Sequence, residues 1–113
     1  MQPSHLVLLF SLAVPGAAGA ESIREMLEND RNVGLVKLRI ASLADGIGWA
    51  NSYFAVKHNQ RIYCPPGKLA ITSDQHLSIL RRFVVDHPAD GDRPAGEAGH
   101  IVIKALMDAF PCD

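Results

Sequence analysis

Much that would advertise a chemistry is missing from this chain of 113 residues. Cysteine occurs only twice, at Cys64 and Cys112. The pair forms no CxxC, and two thiols alone do not complete a zinc site. Basic residues are not clustered, Arg81-Arg82 being the longest run, and the formal net charge is -1. That excludes nucleic acid as the main partner, because phosphate binding needs a dense patch of Lys and Arg. The histidines form no HExxH. Gly46-Ile47-Gly48 lacks the third glycine and the preceding strand of a nucleotide fingerprint. No serine has a nucleophile-elbow context, and Asp86 and His87 are adjacent, so on a helix they diverge. Neither a catalytic residue, a metal ligand nor a cofactor site is expected.

What is present reads as one helical domain. Hydrophobic residues make up 48% and charged residues 20%, the balance of an ordinary globular chain. Residues 1–20 have the layout of a secretory signal: an apolar run from Leu6 to Val14, a Pro15-Gly16 break, then Ala18-Gly19-Ala20 before a cleavage point. Its leading segment carries no Lys or Arg, and the run is too short to span a bilayer as a helix. The expected mature domain is residues 21–113, exported to an oxidising compartment such as the periplasm and free of the membrane once the signal is removed.

Ser22 with Glu25 fits a capping box, so a first helix is predicted from Ser22 to Asn29. From Val33 to Lys57, Val36, Ile40, Leu43, Ile47, Ala50 and Phe54 recur at steps of four and three, which predicts one long helix with that stripe buried. Gly34, Gly46 and Gly48 each cost such a helix up to about 1 kcal/mol. The reason expected is another helix approaching closely over Ala44, Gly46 and Gly48. Trp49 and Tyr53 lie one turn apart on a flanking face. They are read either as the edge of the core or as an exposed pair at a protein interface.

The stretch from Asn59 to Ile71 reads as a loop, since Pro65-Pro66-Gly67 cannot be helical. It is long for a small helical domain, and such loops often carry contacts with partners. Asn59, Gln60, Arg61, Tyr63 and Lys68 are its candidate binding residues. The turn from Ala89 to Arg93 is the other candidate. Thr72 with Gln75 is a second capping box, opening a helix that buries Leu77, Leu80, Phe83 and Val84 and ends at His87-Pro88. Pro94 suits the first position of a last helix, whose buried stripe is Ala98, Ile101, Val102, Ala105, Leu106 and Phe110. The fold class predicted is all-α, a small bundle of about four helices with one intramolecular disulfide. Cys64 precedes one helix of a hairpin and Cys112 follows the other, so the two ends lie side by side within disulfide reach.

The C-terminal half resembles a known family. Tyr63-Cys64-Pro65-Pro66-Gly67, a capped helix ending in Asp86-His87-Pro88, then Arg93-Pro94-Ala95, then Ala105 to Cys112 in order, is similar to the Rap/Tai family of type VI secretion immunity proteins. The resemblance covers about the last fifty residues and looks looser over Ile40 to Gly46. It implies an all-helical periplasmic protein, commonly a homodimer, that binds and blocks a secreted peptidoglycan amidase effector. It also implies that Cys64 and Cys112 are the disulfide. The chain departs from the family pattern in having no second cysteine pair. A different class of function also fits the composition: a periplasmic helper or acid-stress chaperone that binds unfolded clients.

Overall fold

The structure, a computed structural model, describes residues 21–67 and 70–113. The candidate signal segment, residues 1–20, lies outside them, as does Lys68. The architecture is all-α. Among the described residues there is no strand, and the elements in order are α1 (Ile23–Glu28), α2 (Val33–His58), α3 (Ser73–Asp86), a one-turn α4 (Pro88–Gly91) and α5 (Ala98–Ala109), with 3-10 turns at Asp30–Asn32 and Ala95–Glu97. No helix among the described residues is long and apolar enough to cross a membrane.

α1 and α3 start on side-chain caps. The Ser22 hydroxyl accepts from Glu25 N at 3.1 Å, which opens α1. At α3 the capping box is complete: Thr72 Oγ1 accepts from Gln75 N at 3.2 Å, and Gln75 Oε1 accepts from Thr72 N at 2.8 Å. Pro94 does not open α5. Its ψ of 142° keeps the backbone extended, so a 3-10 turn intervenes and the helix proper begins at Ala98. Ala89 to Arg93 is likewise more than a turn. Pro88, at the first position of α4, supplies a helical φ and gives up an N–H that would have no partner there.

The long helices α2, α3 and α5 pack on one another, and α1 lies across α3 and α2. Ile23, Ile40, Leu80, Ile101 and Leu106 are the largest fully buried side chains. Each such burial stabilises by roughly 1.5–3 kcal/mol before chain entropy is counted. The front of the domain is sewn to the α4–α5 junction by main-chain bonds, Ile23 N to Arg93 O at 2.9 Å and Ala95 N to Glu21 O at 2.8 Å. Gly91 is buried there, and a Cβ on it would fall 2.6 Å from Arg24 Nη2. That guanidinium donates to Pro88 O at 2.9 Å and pairs with Asp92.

The inner face of α2 is not the stripe that its spacing predicts. Val36 and Ile40 are buried and Leu43 and Ile47 half-buried, but Ala50 and Phe54 are exposed. The core takes Ala44 and Asn51 instead. Steps of four residues drift round a helix, and here that drift turns the C-terminal half of α2 toward the segment after Arg61. The glycines divide as well. Gly48 faces Tyr63, with the Tyr63 hydroxyl 3.4 Å from where its Cβ would stand, whereas a Cβ at Gly34 or Gly46 would meet nothing within 4 Å. The close helix contact expected over all three small residues is therefore absent within the chain at Gly46.

Candidate functional site

The segment following α2 is fastened at its root. Asn59 closes the helix in the left-handed region, φ 50°, which asparagine tolerates better than most residues. The N–H of Gln60 returns to Phe54 O at 3.3 Å. Asn51, 6% exposed and the one buried polar residue among those described, then grips the chain as it passes back. Its Oδ1 accepts from Ile62 N at 2.7 Å and from Tyr63 N at 3.3 Å, and its Nδ2 donates to Tyr63 O at 2.9 Å. One amide thus serves three main-chain groups that would otherwise be hidden from water without partners.

The cysteines complete the fastening. Cys64 and Cys112 are bonded, with Cα atoms 5.0 Å apart, as the hairpin geometry predicts. Cys64 N also donates to Phe110 O at 2.8 Å. The Tyr63 ring is buried, its centroid 6.5 Å from that of Phe110. Burial pushes the Tyr63 phenol above its usual range.

Beyond this root, Pro65, Pro66 and Gly67 stand off α2 and leave a groove. One part, about 330 Å³, lies between Asp45, Trp49 and Ser52 of α2 and Tyr63, Pro65, Ile71 and His76 opposite. It runs on into a second part of about 410 Å³, bounded by Ala55, Val56, Arg61 and Pro66 and sharing Asn51, Ser52 and Pro65 with the first. Burial lowers the His76 pKa, and the charge of Asp45 acts weakly the other way. At neutral pH the groove therefore offers a neutral imidazole, a carboxylate, a hydroxyl and apolar walls.

The sequence candidates are only partly brought together. Asn59, Gln60 and Arg61 are exposed beside the groove, and Trp49 lines it. Tyr63 is 4% exposed and supports the groove from below, so its role is to hold the segment in place. Trp49 and Tyr53 are 72% and 58% exposed, which sets aside the core-edge reading. Tyr53, Phe54 and His58 make an aromatic cluster at the end of α2, with Phe54 and His58 ring centroids 5.5 Å apart. Sequence reasoning missed Asn51 and His76. A polar residue within an apolar run was the available signal for Asn51, and His76 gave none.

No protein-family model, no curated protein and no solved structure matches the chain.

Proposed function

We propose that the protein is a periplasmic immunity protein of the Rap/Tai kind, exported by its N-terminal signal, that binds a type VI secretion peptidoglycan amidase and covers its active-site cleft. It acts by occlusion and needs no cofactor. The observation that carries the reading is the rigid root of the 59–67 segment. A recognition loop that is already ordered loses little entropy on docking, so more of its contact energy appears as affinity. The disulfide, the Asn51 clasp and the Phe110 main-chain bond supply that order. The ordered set of motifs from Tyr63 to Cys112 supports the family reading, and the groove beside the loop supports docking on a protein.

The mechanism follows from shape. Gln60, Arg61 and Pro66 present exposed groups beyond the fastened root, and an opposing surface seated there would close the groove and shut water and peptidoglycan out of the enzyme. A standard interface takes about 800 Å² from each partner. The test is titration of purified protein against a secreted peptidoglycan amidase encoded beside its gene. Inhibition should saturate at one binding site per enzyme, and Arg61→Glu should weaken it at least tenfold without loss of helicity. Undiminished cell-wall hydrolysis in excess protein overturns the proposal.

The exposed apolar residues of α2 favour a second reading, a helper that holds unfolded clients. Suppression of the aggregation of an unfolded reporter protein, with no effect on the amidase, would select it.

A further inference from the structure

The groove beside α2 changes sign along its length. Its first part carries one formal charge, the exposed Asp45 carboxylate, and its second part carries one of the opposite sign, the exposed Arg61 guanidinium. Arg24, Lys37, Arg93 and Lys104 each find a carboxylate elsewhere on the surface. Neither Asp45 nor Arg61 enters an ion pair among the described residues.

The first part also holds polar groups with nothing to bond. Tyr63 is 4% exposed, and its hydrogen bonds to Asn51 use main-chain atoms alone. Its hydroxyl meets no partner among the described residues, although no polar atom sealed inside the described chain lacks one. That oxygen therefore opens onto the groove that Tyr63 lines, 3.4 Å from where a Cβ on Gly48 would stand. Ser52 and the His76 ring border the same space, also without a side-chain hydrogen bond among the described residues. A carboxylate, two hydroxyls and the imine nitrogen of a neutral imidazole can all accept. Trp49, largely exposed, stands beside them. An arginine side chain answers this set. Its guanidinium carries five N–H donors in a planar fork, pairs two-pronged with a carboxylate and stacks on tryptophan. A lysine has three donors and no plane to stack. An anion would face Asp45, and an aliphatic side chain would leave the acceptors unmet.

We propose that the groove receives an extended segment of the partner protein, with an arginine seated between Trp49 and Asp45 and a carboxylate further along paired with Arg61. This deepens the docking reading above and rests on it. From Asp45 to Val56, which lines the second part together with Arg61, α2 rises about 16 Å. An extended chain covers that length in about five residues, which sets the spacing of the two charges. The walls of Pro65, Pro66 and Val56 take the short side chains between them.

Trp49 is the only tryptophan, so its fluorescence reports occupancy. The probes are two end-blocked pentapeptides, Arg-Ala-Ala-Ala-Glu and its reverse, Glu-Ala-Ala-Ala-Arg, titrated into protein expressed from the full chain. One of them should shift Trp49 emission saturably at millimolar concentration. Asp45→Asn and Arg61→Glu, both exposed positions, should each weaken that binding about fivefold while circular dichroism shows retained helix. Citrulline in place of the peptide's arginine, which keeps the shape and removes the charge, should weaken it as much. No saturable response to either peptide, equal binding of the citrulline form, or binding indifferent to Asp45→Asn would each overturn the proposal. So would saturation by an N-acetylglucosamine tetramer with both peptides inert, which would give the groove to a glycan. If the peptide behaves as expected while the amidase is not inhibited, only the functional reading falls. If the amidase is inhibited equally by wild type and Asp45→Asn, only this inference falls.

Discussion

Replacing Asn51 with alanine should be among the most damaging single changes in the α2 surface facing the loop. The substitution removes one acceptor and one donor, and leaves the N–H groups of Ile62 and Tyr63 and the C=O of Tyr63 without partners. A hydrogen bond nets about 1 kcal/mol, and a buried group left unpaired costs about 1–3 kcal/mol. The 3.3 Å contact to Tyr63 N is the weakest of the three, so the expected loss is about 3 kcal/mol. Escape of the orphaned groups into water would reduce the cost, but the next residue is Cys64, held by its disulfide and by Phe110 O. A body of this size has a total stability of roughly 5–13 kcal/mol, so the loss is a large share. Urea unfolding followed by far-ultraviolet circular dichroism measures it. Hydrogen exchange should show Ile62 and Tyr63 amides losing protection before those of α5. Asn51→Asp should be at least as harmful at neutral pH, because a carboxylate oxygen then faces Tyr63 O, and its stability should recover in acid as the group regains a proton to donate. An Asn51→Ala protein within about 0.5 kcal/mol of wild type, with both amides still protected, would refute the reasoning.

Three further outcomes are expected. Cys64→Ser with Cys112→Ser, which opens a sequence separation of 48, should cost at most about 4 kcal/mol on the chain-entropy model; reductant should reproduce the loss in wild type and do nothing to the variant. Gly91→Ala should cost about 1 kcal/mol, because its Cβ evicts the Arg24 guanidinium from Pro88 O; combined with Arg24→Ala the costs should fall short of additive in a double-mutant cycle. His76 binds its proton less readily when folded, so its unfolded form takes up more protons just below pH 6.5 and stability should decline as pH falls through that window toward the lowered folded value; His76→Gln should flatten that part of the profile in urea melts taken across pH.

The sequence made some of this plain and hid the rest for physical reasons. Capping is local, so Thr72 and Gln75 announce α3 without reference to any other element. The disulfide was legible because both cysteines flank a helical hairpin. The inward face of α2 was legible from Val36 to Ile47 but not at Ala50 and Phe54, since period alone cannot tell which side of a helix a returning chain will cover. Asn51 reads as a solvent residue until the returning chain is in place to be gripped. Pro88-Ala89-Asp90-Gly91 has turn composition throughout, and its single helical turn is fixed by neighbours: His87 stacks on Phe83 at 4.2 Å, and Lys104 reaches Asp90 at 2.7 Å. Pro94 is drawn out of the helix by the main-chain bonds that flank it at Arg93 and Ala95.

The Asn51 clasp has an evolutionary corollary. Among the described residues, the fasteners of the segment after α2 act at or before Cys64, and none of them uses the Pro66 ring. Substitutions at Pro66 and Gly67, both exposed, should leave the packed body as it was. The tip can therefore be revised over generations while its base is inherited unaltered.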